Sequence, residues 1–270
     1  MPHNAKSINS EGLLSVAVLV SVGRHPLTAR ARRADHDARA VEMALSLGDA
    51  SVQLMHAGDD GDACEEAMRG YLGMGISRVK RIQQNPDADV VPALANILRF
   101  AAPQLVLTGT RAETGEGSGL VPYLLAETLG WTVVSGLAEI ESIEQGVATV
   151  LQALPRGKRR RLQVRLPAIA TVDGSAPAAR QSAFGPARRG ELADCACAGV
   201  TDELQTQWRV QPARKRPKRL KIVKSASARD RFKAAAAKAD SGGGQLLNDV
   251  TPEQGAEAIF TLLKDEGVLR

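Results

Sequence analysis

Apolar and polar positions alternate along this chain in two distinct rhythms. Leu13 to Val22, LLSVAVLVSV, is a continuous apolar, β-branched run that predicts a fully buried strand of a parallel sheet. Gly23 to Pro26 then predicts a loop, and Arg30 to Arg33 a basic segment. Ala40, Val41, Ala44 and Leu45 recur at helical spacing up to Gly48, with Asp35 or Asp37 as candidate cap. Val52 to His56 predicts the next strand, Ala57 to Gly61 its loop, and Ala63 to Met74 a helix stopped by Gly75. A short strand at Arg78 to Ile82 and a helix at Pro92 to Phe100 follow.

The most informative stretch is Leu105 to Ser135. Leu105-Val106-Leu107 predicts a buried strand that runs into a loop holding Gly109, Gly115, Gly117 and Gly119. A helix begins at Val121, with Pro122 suited to its first turn and Gly130 as its stop, and Trp131 to Val134 is extended again. Strand, glycine loop and helix N-terminus in succession bring backbone N–H groups and a positive dipole end toward an anion, and Ser118 adds a hydroxyl donor. The spacing matches neither G-x-G-x-x-G nor G-x-x-x-x-G-K-[ST], so the pattern is equally that of a surface loop.

Strands alternating with amphipathic helices predict an α/β fold: a doubly wound, mostly parallel, Rossmann-like sheet with helices on both faces. In such sheets ligands collect beyond the carboxyl ends of the strands. The loops after Val22, His56 and Leu107 are therefore expected to converge.

Beyond the glycine stretch the rhythm changes. Gly146 to Thr171 predicts two strands around a basic turn, with Pro167 at an edge or opening a new extended piece. Ala176 to Gly190 predicts an exposed loop in which Phe184 stands alone, as a partner anchor or in a local cluster. Thr251 to Leu269 predicts a helix, with Thr251 as N-cap, Pro252 at the first position and a wide apolar face. The expected organisation is a polar leader at 1–12, an α/β domain at 13–198, a basic flexible arm at 199–250 and a terminal helix at 251–270.

Charge refines this picture. The net charge of +5 is local: 156–165 and 214–224 carry thirteen Lys/Arg and no acid, while the other 22 basic residues stand against 30 acids. Aromatics are only 3%, which counts against stacking on single-stranded nucleic acid, and the run at 214–224 reads as a solvated arm rather than a nucleic-acid site. Cys64, Cys195 and Cys197 form neither a disulfide framework nor a zinc site, which suits a reduced, cytoplasmic compartment. No apolar run approaches the ~18–20 residues of a membrane span, and MPHNAKSINSEG lacks the core of a signal peptide. The four histidines are scattered, and no nucleophile elbow, paired-carboxylate motif or metal cluster stands out.

The pieces in order resemble the beta subunit of electron-transfer flavoprotein. The likeness rests on Thr108-Gly109, Arg111-Ala112, Gly115 to Gly119, Pro122, Leu129-Gly130-Trp131, Leu166 to Thr171, and Thr251 to Leu269. It implies a subunit without acid–base or nucleophilic chemistry of its own, paired with an alpha subunit around one shared FAD. AMP, or in bifurcating relatives a second FAD, would occupy the beta-subunit site. Electrons would pass from a flavin-dependent dehydrogenase to a quinone-linked acceptor of the respiratory chain. Position by position, the nucleotide site implied is Ser21, Asp37, Ala57 and Ala112 to Gly119, that is Ala112, Thr114, Gly115, Glu116, Gly117, Ser118 and Gly119, alongside Gly109. Phe184 falls where the family anchors a partner dehydrogenase. The chain departs from the family at Ala34-Asp35-His36, at Leu120 and at Arg156 to Arg159. A stress-protein-like adenine-nucleotide module is the alternative; it explains the first 135 residues but neither Leu166 to Thr171 nor the terminal helix.

Overall fold

The computed structural model describes residues 13–115, 117–209, 211, 213, 227, 229 and 247–265. The leader at 1–12, Glu116, the basic run at 214–224 and the part of the expected terminal helix beyond 265 lie outside the described residues. Contacts divide the chain into two units, Met1–Trp208 and Arg209–Arg270.

The first unit is built on a nine-stranded sheet. In its interior lies the apolar run of the N-terminal segment, β1 (Leu14–Leu19), flanked by β4 (Ala50–Gly58) and β7 (Leu105–Gly109), both parallel to it. Beyond β4 lie β5 (Arg78–Gln83) and β12 (Glu191–Ala196). Beyond β7 lie β11 (Ala168–Val172) and β8 (Thr132–Glu144), then β9 (Val147–Ala153) and β10 (Arg159–Arg165), which pair antiparallel. The expected doubly wound α/β fold is the one observed.

Helices cover both faces. α1 (Asp35–Leu45) and α2 (Asp62–Leu72) pack on one, burying Val16, Val18, Leu54, Met68 and Leu107. α3 (Val90–Ala101) and α4 (Val121–Leu129) pack on the other, burying Ala17, Met55, Leu98, Val106, Leu125 and Ile169. Neighbouring residues of β1 and β7 thus feed opposite cores, which is why these strands are apolar without a break. Gly130 ends α4 in the left-handed region at φ 69°.

The structure departs from the sequence expectation in four places. The segment after β1 is a hairpin rather than a loop: β2 (Val22–Arg24) pairs with β3 (Ala31–Arg33). The chain from 146 to 171 holds three strands, because the chain breaks at Leu166-Pro167 and β11 enters the sheet centre while β9 and β10 form the edge hairpin. The basic turn between them is exposed, and Arg161 pairs with Glu141 of β8. The supposed loop at 176–190 ends in a short helix, α5 (Phe184–Arg189), held on α2 where Arg69 donates to the carbonyls of Ala187 and Gly190. After it, β12 joins the edge of β5, with Arg81 and Asp194 in a two-bond ion pair at 2.7 and 3.0 Å. From there β13 (Val200–Thr201) pairs with β6 (Ala88–Asp89) and leads to Trp208.

In the second unit the terminal helix spans Pro252–Asp265. Thr251 and Gln254 cap it reciprocally, N–H to side-chain oxygen at 3.4 and 3.1 Å. Ile259, Phe260 and Leu262 on this helix are exposed. Among the described residues no helix is long and apolar enough to cross a membrane.

Ile169 is fully buried in the central strand β11. Ile169→Ala is expected to lower unfolding free energy by about 2–5 kcal/mol in denaturant titrations; a loss under about 1 kcal/mol would contradict this packing.

Candidate functional site

Going outward from β1, the chain continues through α1 to β4 on one side, whereas β7 lies on the other. The connections therefore diverge between β1 and β7, where an open α/β sheet leaves a crevice at its carboxyl edge. A cleft of about 550 Å³ occupies that edge.

Asp37 shapes it. Although in the first turn of α1, its side chain makes no helix cap; the N-cap position is Ala34, which has no side-chain acceptor. The expectation of a capping Asp35 or Asp37 is thereby overturned. Asp37 turns inward and is 3% exposed. Its Oδ2 accepts from the Ser21 N–H at 2.7 Å and the Ser21 hydroxyl at 2.5 Å, and its Oδ1 accepts from the Gly109 N–H at 2.9 Å. One carboxylate thus binds the turn after β1 to the end of β7. Gly109 is required there: a Cβ would lie 2.3 Å from Asp37 Oδ1. Burial pushes the Asp37 carboxyl up to about 6, against the bonds from Ser21 and Gly109, which favour the ionised form, and Glu113 adds to the rise. Tyr71, from α2, adds a second tie: its hydroxyl donates to the Ser21 carbonyl at 2.9 Å and accepts from the Ala34 N–H at 2.8 Å.

The glycine loop is fastened separately. Both Glu113 oxygens are used, by the N–H groups of Arg24 and Asp35 and by the Arg32 guanidinium, at 2.9–3.1 Å. The Thr114 hydroxyl donates to the Val22 carbonyl at 2.8 Å. Gly115, Gly117 and Gly119 all take positive φ, from 63° to 78°, and a Cβ on Gly119 would lie 2.8 Å from the Thr110 carbonyl oxygen. The Ser118 hydroxyl accepts from the Leu120 N–H at 3.2 Å, which leaves its own hydrogen to donate.

Of the residues singled out from sequence, Ser21, Asp37, Ala57, Gly109, Ala112, Thr114, Gly115, Gly117, Ser118 and Gly119 all line this one cleft. Glu116 lies outside the described residues. Phe184 is elsewhere, at the start of α5, with 78% of its surface exposed. Sequence reasoning passed over other parts of the wall. Met55, Val91 and Leu94 give it an apolar side, and Asn85, Asp202 and Trp208 close it from the far segment. His56 is also part of it, buried, with Nδ1–H donating to the Val20 carbonyl at 2.9 Å. Burial lowers its pKa and keeps the ring neutral, and its Nε2 has no hydrogen-bond partner among the described residues. A buried acceptor without a donor, a free Ser118 hydrogen and a glycine-turned loop before a helix N-terminus fit a nucleotide better than a metal; among the described residues no His, Cys, Asp or Glu cluster could hold a metal ion.

Residues 28–196 match the electron transfer flavoprotein domain. The chain is also 66% identical, over 257 residues, to the electron transfer flavoprotein subunit beta of Chromohalobacter salexigens, covering 95% of this chain and 96% of that protein. The chain belongs to the electron-transfer flavoprotein family, on the beta-subunit side. Electron-transfer flavoprotein beta subunits are parts of flavin-dependent electron carriers rather than classical enzymes. The matched domain runs from the turn before β3 to β12, so it contains Asp37, the glycine loop and the β4 and β7 sides of the cleft, while β1, Ser21 and β2 precede it.

Two outcomes test the site's construction. Glu113→Ala is expected to cost the fold about 1–3 kcal/mol and to speed hydrogen exchange of the 111–119 amides; unchanged exchange would contradict the fastening. Because the Asp37 pKa is raised by folding, its stabilising contribution is full below about pH 4 and is lost as pH rises through about 6. The span corresponds to about 3 kcal/mol. Denaturant titrations across that range should show this fall in the native protein relative to Asp37→Asn; parallel pH profiles would contradict it.

Proposed function

We propose that this chain is the beta subunit of a heterodimer that carries electrons on a FAD shared with an alpha subunit, with AMP or a second FAD held in the cleft described above. Electrons would enter from a flavin-dependent dehydrogenase and leave to a quinone-linked acceptor of the respiratory chain, in the cytoplasmic compartment. The observation that carries this reading is the convergence of Ser21, Ala57 and the 109–119 loop on one cleft, in a chain with near-complete coverage of a beta subunit.

In this reading the Gly117 and Gly119 backbone and the Ser118 hydroxyl hold the phosphate, supported by the α4 N-terminus. Met55, Val91 and Leu94 cover the apolar face of the nucleoside and keep water from it. The flavin, when bound, supplies the electron-transfer chemistry. The protein's part is binding, orientation and electrostatics, with no side chain acting as nucleophile or general base. Phe184 anchors the dehydrogenase, and the exposed Ile259, Phe260 and Leu262 of the terminal helix dock on the alpha subunit. The stress-protein alternative is disfavoured because the likeness to the relative extends over 95% of the chain.

Co-expression with the alpha subunit, followed by extraction and quantitation of bound nucleotides, tests the proposal. One FAD with one AMP, or two FAD, per heterodimer is expected. A heterodimer with a single FAD and nothing else, or no heterodimer, would overturn it.

A further inference from the structure

We propose that Ser21 and Asp37 form an anion-sensing pair: a nucleotide's anionic group enters the cleft together with one proton, which Asp37 keeps while the Ser21 hydroxyl turns from Asp37 toward the ligand. The inference rests on the reading of the cleft as an adenine-nucleotide site.

The geometry permits the exchange without moving the backbone. With Asp37 ionised, the Ser21 hydroxyl hydrogen lies on the 2.5 Å line to Oδ2, so Ser21 can show the cleft only lone pairs. These repel an anion. With Asp37 protonated on Oδ2, that hydrogen bond reverses along the same line, and Oδ2–H donates to Ser21 Oγ. Oδ2 keeps a lone pair for the Ser21 N–H, and Oδ1 still accepts from the Gly109 N–H. Both turns stay fixed, and the Ser21 O–H is released as a donor.

The surrounding charges favour this direction. From the glycine loop Glu113 faces Asp37, with its own charge countered by Arg32. From α2 the Tyr71 phenol donates to the Ser21 carbonyl and is held neutral by burial and by Asp37. From α1 the His36 ring is engaged with the Thr110 hydroxyl at 2.6 Å. Arg24 and Arg111 line the cleft, but no cation is bonded to Asp37 among the described residues, so a second anion beside its carboxyl raises its proton affinity. Burial, with Glu113 adding to the rise, has brought that carboxyl up to about 6, so a modest further rise carries it into the neutral range. The proton comes from solvent, and no other group changes its protonation.

Calorimetric titration of the full chain in buffers of different ionisation heat tests this, with AMP and with FAD as ligands. FAD is the cleaner probe, because its pyrophosphate has no proton to exchange near neutral pH whereas a phosphate monoester titrates near pH 6. Net proton uptake is expected for FAD between about pH 6 and 8, with affinity tightening toward lower pH by at most ~tenfold per unit. Asp37→Asn should abolish both the uptake and the slope. Ser21→Ala leaves the two backbone bonds to Asp37 in place; it should bind more weakly and move the uptake window to higher pH. Binding without proton uptake, uptake that persists in Asp37→Asn, or an unmoved window in Ser21→Ala would each overturn the proposal. If neither nucleotide binds at any pH, the nucleotide reading of the cleft falls, and this inference with it.

Discussion

A carboxylate taken out of water and placed between two turns is the constraint on which the candidate site depends. Asp37 spends both oxygens on the main chain and on one hydroxyl, joining the end of β1 to the end of β7. These are the two strands at which the sheet's connections diverge, so their spacing sets the width of the crevice. Burying a carboxylate is costly unless its acceptors are filled. Here three donors fill them, and the raised pKa shows that the compensation is partial. The residue opposite must be glycine, because any Cβ at 109 would occupy the place of the carboxylate.

The rest of the site builds on that tie. Tyr71 reaches from α2 under the β1 turn and satisfies both its donor and its acceptor there, so a fully buried phenol costs little. Glu113 and Thr114 pin the glycine loop to the β2–β3 hairpin and to the start of α1. The loop's positive-φ glycines can then present backbone to the cleft while the loop is anchored at its base. In the proposed reading the chain supplies a preorganised crevice, and the redox chemistry belongs to the flavin.

Much of this was legible in the residue pattern. Uninterrupted apolar runs marked β1 and β7, and helical spacing marked α1, α2 and α3. The glycines between 109 and 119 marked the loop, and the order of these pieces marked their convergence on one edge. What escaped had physical causes. An aspartate beside a helix start ordinarily caps it, and nothing local distinguishes one that turns inward to bind turns 16 and 72 residues away in sequence. Glu113 lies in a polar loop where a charged residue is unremarked, and its partners come from the hairpin and α1. His56 looks like any strand histidine until its ring is seen buried with one nitrogen unpartnered. Strand β12 and helix α5 carry weak periodicity; β12 is placed by its pairing along β5 and α5 is bonded by Arg69 of α2, neither of which is local in sequence.

The central claim is that the two turns joined by Asp37 and the glycine loop act as one binding surface. Amide NMR of the full chain titrated with AMP tests it most directly. The account predicts that the resonances of Ser21, Ala57, Gly109, Gly117 and Gly119 move together, with one common saturation. Shifts clustered elsewhere on the sheet, or shifts of the loop alone with Ser21 and Gly109 unmoved, would contradict it.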